Sequence, residues 1–136
     1  MLKLLSSLPL LAVSFSSMAS DFQNCVSQIT EAGAYESTAR EVCSESLFPL
    51  DLGECVTSVT EAGTYASVAI EGCSSTALPK EFGVCVSRIT EAGTYASVAI
   101  DACSSSSSPL SFSRCVLNVT NSGSYVSVAI DKCSGL

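Results

Sequence analysis

The 136-residue sequence has no histidine, no tryptophan, and only six lysines and arginines against thirteen aspartates and glutamates. Without histidine, the usual base for a serine or cysteine nucleophile is missing. Without a basic stripe, nucleic acid and anionic membrane surfaces are poor partners. The sequence also lacks a glycine-rich phosphate loop, a metal-binding motif and a CxxC pair. It therefore shows no signature of nucleotide chemistry or thiol redox catalysis, and no cofactor is implied.

Long apolar runs are scarce as well. The one near the start, Leu4 to Phe15, is broken by Ser6, Ser7 and Pro9, whereas a bilayer span needs roughly 20 apolar residues. With Lys3 ahead of it and Ser17-Met18-Ala19 behind it, this run reads as a leader, residues 1–19, cleaved after Ala19. No membrane insertion is expected once it is removed, which makes the protein secreted, periplasmic or extracellular.

What the chain does have is a repeat. Four units recur every 30 residues, at 21–50, 51–80, 81–110 and 111–136, and Thr60–Ile70 is repeated letter for letter at Thr90–Ile100. A fixed period of this size signals stacked supersecondary units in a single repeat domain, 20–136. Apolar residues at 52, 55, 56 and 59, and again at 82, 85, 86 and 89, follow the i, i+3, i+4, i+7 stripe of a helix. A second stripe, Tyr35, Thr38, Ala39, Val42 and Cys43, follows it in the first unit. The fold class expected is all-α, four tandem helical hairpins in a solenoid. The rival is a β-hairpin repeat, argued from the β-branched residues of TYASVAI and CVTSVT.

Helix ends are expected at Asp21, Asp51, Glu81 and Ser111 as N-caps, with Pro49, Pro79 and Pro109 lying just outside. Gly33, Gly63, Gly93 and Gly123 close the first helices, and Thr64, Thr94 and Ser124 cap the second. Helices of about ten residues are marginal alone, so stacking must supply the core.

Eight cysteines, two per unit, form an even set in an exported chain and read as a disulfide framework. Structural zinc is disfavoured because the cysteines alternate 18 and 12 residues apart with no close pair and no histidine. One pairing joins neighbouring units, Cys43–Cys55, Cys73–Cys85 and Cys103–Cys115, and strands Cys25 and Cys133. The other closes each hairpin on itself: Cys25–Cys43, Cys55–Cys73, Cys85–Cys103 and Cys115–Cys133. In an antiparallel hairpin each such pair comes level to within less than one turn. The second pairing is therefore expected.

Two rows of residues are candidate binding sites. One is acidic: Glu31, Glu61 and Glu91, with Asn121 in the last unit and Glu41, Glu71, Asp101 and Asp131 further on. These are too sparse for a calcium cage, which takes six to eight oxygens, and read first as a solvated face. The other is aromatic: Tyr35, Tyr65, Tyr95 and Tyr125. Exposed, it would form a ladder for glycan or peptide. Its place on the apolar stripe predicts instead a core role, with the hydroxyls paired to Thr30, Thr60, Thr90 and Thr120.

Asn118-Val119-Thr120 forms an N-glycosylation sequon. Negative charge diminishes along the chain. Residues 21–50 carry five acids and one arginine, while 111–136 carry one acid against Arg114 and Lys132. This gradient suggests weak head-to-tail self-association. The reading reached is an exported, disulfide-rich helical repeat protein that binds a protein or glycan, or serves as a structural module, without catalysis. The alternative is a secreted effector or inhibitor that docks through its acidic surface. No residue set supports a hydrolase.

Overall fold

The structure is a computed structural model that describes the backbone from Leu8 and the side chains from Met18 to the C-terminus. Of the expected leader, residues 1–7 lie outside the described residues and the side chains of 8–17 are likewise not described. Eight helices and no strand form among the described residues: α1 (Leu8–Glu31), α2 (Glu36–Glu45), α3 (Pro49–Glu61), α4 (Ala66–Ser74), α5 (Pro79–Glu91), α6 (Ala96–Ser104), α7 (Pro109–Asn121) and α8 (Val126–Cys133). The β-hairpin alternative is overturned. The β-branched residues fall at helical spacing, and burying them as a stripe outweighs their preference for strands.

Each unit is a hairpin of a longer and a shorter helix, joined by a disulfide across its two arms: Cys25–Cys43, Cys55–Cys73, Cys85–Cys103 and Cys115–Cys133. The arms lie close, with 5.9–6.0 Å between paired Cα atoms. This is possible because the shorter helices turn only small side chains inward. Ala39, Ala69, Ala99 and Ala129 are fully buried, as are the cysteines one turn later.

The longer helices α1, α3, α5 and α7 pack side by side into one continuous layer, while each shorter helix leans mainly on its own partner. The core lies in this layer: Val26 and Ile29, then Leu52, Val56 and Val59, then Phe82, Val86 and Ile89, then Phe112 and Val116. Glycine sets the spacing at two joints. A Cβ on Gly53 would come within 3.2 Å of Cys25 Cα, and one on Gly83 within 3.1 Å of Cys55 Cα. Ser113 takes this position at the third joint, buried, and its hydroxyl donates to the Leu110 carbonyl (3.2 Å) while accepting from Arg88 Nη1 (3.3 Å). In the first unit the position is Gln23, exposed to solvent. At a neighbouring contact Phe82 lies on Gly72, where a Cβ would meet its ring at 3.1 Å.

The helix starts differ from expectation. Pro49, Pro79 and Pro109 open their helices at the first position, so Asp51, Glu81 and Ser111 stand inside the first turn. Proline suits that place, because its missing N–H would be unpaired there anyway and its φ is already helical. The hydroxyl working ahead of it belongs to Ser46, Thr76 or Ser106, each accepting the N–H two residues on at 3.1 Å. That is a local side-chain turn rather than a cap. Asp21 is not a cap either, since α1 runs through it from Leu8.

At the other end of the hairpins the four turn glycines adopt φ between 105° and 118°, as expected of residues that close a helix in the left-handed region. Thr64, Thr94 and Ser124 do not cap the second helices. The N-cap residues are Tyr35, Tyr65, Tyr95 and Tyr125, without side-chain caps. A serine one or two residues after each second-helix cysteine finishes that helix by donating to a carbonyl about one turn back. Ser44 reaches Glu41 (2.8 Å), Ser75 Glu71 (2.6 Å), Ser105 Asp101 (3.1 Å) and Ser134 Asp131 (2.7 Å).

Candidate functional site

The four tyrosines form the candidate site. Each backbone carbonyl accepts the first bond of its helix, from the N–H of Ala39, Ala69, Ala99 or Ala129 at 3.0–3.1 Å. Each residue itself is extended, with ψ between 146° and 152°. The chain is therefore not yet helical at the tyrosine, and the apolar stripe of the second helix does not reach back to it. The ring leaves the hairpin and enters solvent. The expected core role is overturned: all four are 82–83% exposed.

Among the described residues, none of their expected hydroxyl partners bonds to a tyrosine, and two are engaged elsewhere. Thr60 donates to the carbonyls of Val56 and Thr57, and Thr90 to Val86 (2.7 Å). Thr120, the fourth member of that row, has a buried hydroxyl with no partner. The tyrosine hydroxyls are thus left to water or to a ligand.

Identical placement in stacked units makes the tyrosines a ladder along the turn edge. Shallow clefts lie between rungs. One of about 410 Å³ has Tyr35 and Tyr65 on its rims and Ala32, Gly33, Ala34 and Ala66 in its lining. Another of about 400 Å³ is lined by Gly93, Thr94, Tyr125 and Val126. The small residues demanded by the turns keep the spaces between rings open.

The acidic row lies on the same edge. Glu31, Glu61 and Glu91 end their helices four residues before each tyrosine and are exposed. Glu31 and Glu61 share a polar cleft of about 350 Å³ with Gln28, Thr57 and Thr60. That cleft meets the tyrosine cleft at Ala32, which lines both. The remaining carboxylates, Glu41, Glu71, Asp101 and Asp131, are exposed on the shorter helices. Arg40 and Glu36 form an ion pair at 3.0 Å, both exposed. No group of three or more potential metal ligands gathers among the described residues, and no helix among them is long and apolar enough to cross a membrane.

The sequence reading did not single out a further cavity, about 670 Å³, at the linker end between the first two units. Val42, Leu47, Phe48, Leu52, Ile70 and Pro79 are among its lining residues, with Glu45 and Glu71 beside them. Leu47 and Phe48 are largely exposed there. A signal was present: the first linker reads ESLFPL where the later ones read STALPK and SSSSPL.

The chain matches no protein-family model, no curated protein and no solved structure.

Proposed function

We propose that this is an exported binding module whose tyrosine ladder grips an extended ligand with regularly spaced apolar faces, a glycan chain foremost, and that it carries out no catalysis. The observation that carries this reading is the exposure of Tyr35, Tyr65, Tyr95 and Tyr125 at one place in every unit. The fold does not require those rings, since none caps its helix or enters the core. Tyrosine supplies a large, rigid, amphipathic contact at low entropic cost. Fixing it one residue ahead of a disulfide-tied helix lowers that cost further. Four disulfides fit an oxidising compartment, which supports export.

The test is titration of the oxidised protein with soluble cello- and chito-oligosaccharides of increasing length, followed by tyrosine ring resonances. Affinity should rise with length as more rungs are engaged. Tyr65→Ala and Tyr95→Ala should each weaken binding by roughly tenfold, about 1.4 kcal/mol. No ring shift with any sugar length would refute the glycan reading.

A second reading, docking on a basic protein surface, is favoured by the joining of the Glu31–Glu61 cleft to the ladder at Ala32. Salt separates the two. Charge-driven docking weakens as the Debye length shrinks to about 8 Å near physiological ionic strength, whereas stacking on rings persists.

A further inference from the structure

We propose that Asn118 is a glycan attachment site, chosen by its place in the stack. The sequence contains one N-x-Ser/Thr sequon, Asn118-Val119-Thr120. The threonine recurs in every unit as Thr30, Thr60, Thr90 and Thr120, so the sequon arises from the asparagine alone. The equivalent residues are Gln28, Ser58 and Arg88. Each faces the next unit. The Gln28 side chain lies against Gly53, and Ser58 Cβ would be 3.4 Å from a Cβ on Gly83. Arg88 Nη1 donates to Ser113 Oγ (3.3 Å) and to the Leu110 carbonyl (3.4 Å).

A sugar at any of those three positions would force neighbouring helices of the stacked layer apart. Asn118 is exposed, on a helix whose main partner among the longer helices is α5. Among the four units described, the sequon thus occurs in the one where no neighbouring longer helix is packed over this position. A glycan there would occupy the face that in the other units receives a neighbouring helix.

The chemistry requires an activated oligosaccharide with a phosphate-type leaving group on its anomeric carbon, supplied by a transferase of a eukaryotic export pathway. The anomeric C–O bond breaks, a bond to Asn118 Nδ2 forms, and one amide proton leaves with the displaced phosphate. The proposal rests on export but not on the tyrosine ladder.

The experiment is secretion of the full chain from a eukaryotic host, once with its own first 19 residues and once with the host's leader in their place. Intact mass is read before and after enzymatic removal of N-glycans, on protein shown to hold four disulfides. The expected result is one glycan per chain, mapped to Asn118 and abolished by Asn118→Gln. Thr120→Val should abolish it too, without loss of folding, because that hydroxyl has no hydrogen bond to lose. Thr120→Ser should retain it. Secreted, fully disulfide-bonded protein with unmodified Asn118 from the host-leader version would overturn the proposal. Failure of the chain's own leader alone would count against the export reading instead.

Discussion

Removing a disulfide should have different consequences in the middle of the stack and at its edge, although the chain-entropy term is the same. Each bond spans 18 residues, and the loop-closure relation gives about 3 kcal/mol for a loop of that length. The third unit is held on both sides, α5 packing against α3 and α7, whereas α7 packs against α5 alone among the longer helices. In a stack with nearest-neighbour coupling, an end unit opens by breaking one interface and an internal unit only by breaking two. Changing Cys115 and Cys133 to alanine should therefore let α7 and α8 open locally. Their slowest amides should exchange on the order of 100-fold faster, at about 1.4 kcal/mol per tenfold. The amides of α3 should be little changed. Changing Cys85 and Cys103 to alanine should instead lower the denaturation midpoint of the whole chain. Hydrogen exchange by mass spectrometry, beside guanidinium titration, reads both. If the two variants lose the same global stability, and α7 and α8 exchange no faster than α3, the four units fold as one indivisible body and the reasoning fails.

Three further outcomes follow from particular contacts. Gly83→Val places a branched side chain where even a Cβ would stand 3.1 Å from Cys55 Cα; a loss of about 1–3 kcal/mol by denaturant titration is expected for such overpacking, and an unchanged midpoint would show that α3 and α5 separate freely. Gly93→Ala meets nothing closer than Val126 Cγ2 at 3.7 Å, yet its φ is 118°. Any loss it shows, roughly 1–2 kcal/mol on the same assay, is thus conformational strain rather than crowding. Head-to-tail association driven by the charge gradient would set Gln23 where the internal joints carry Gly53, Gly83 or Ser113, so it must use a looser register. Sedimentation at low salt should then show weak chains that dissolve at high salt, and a monomer in both conditions would end that idea.

The hairpins and their disulfides were legible because two regularities coincide: the 3.6-residue stripe and an 18-residue cysteine spacing that is level across a turn. The turn glycines were legible for the same kind of reason, since a helix that must reverse needs a left-handed residue. Boundaries were less so. The stripe was extended one residue past its helix at Tyr35, Tyr65, Tyr95 and Tyr125, and one residue moved each ring from core to solvent. An acid just ahead of an apolar run looks like a cap, but Pro49 and Pro79 show that the helix had begun two residues earlier. The close approach at Gly53 and Gly83 was invisible for another reason. It depends on which helix faces become neighbours in the stack, and the spacing within one unit does not specify that.

The two edges of the molecule face different demands, and this bears on the proposed binding reading. At the linker edge the fold uses a hydroxyl at Ser46, Thr76 or Ser106 and a proline three residues on. The residues between are Leu47-Phe48, Ala77-Leu78 and Ser107-Ser108, a different pair each time. Leu47 and Phe48 line the large apolar cavity with Ala77 beside them, so a ligand at this edge would meet a surface that differs from joint to joint. At the turn edge the fold uses the glycine and small neighbours, while a tyrosine that the fold does not need stands in all four units. A ligand there meets the same ring at a constant interval. Repetition helps only a ligand that is itself repetitive, because each added rung then acts at high effective concentration once the first is engaged. A partner with a single recognition element would gain from the linker cavity and nothing from three spare tyrosines. The turn edge is therefore the surface suited to a polymer.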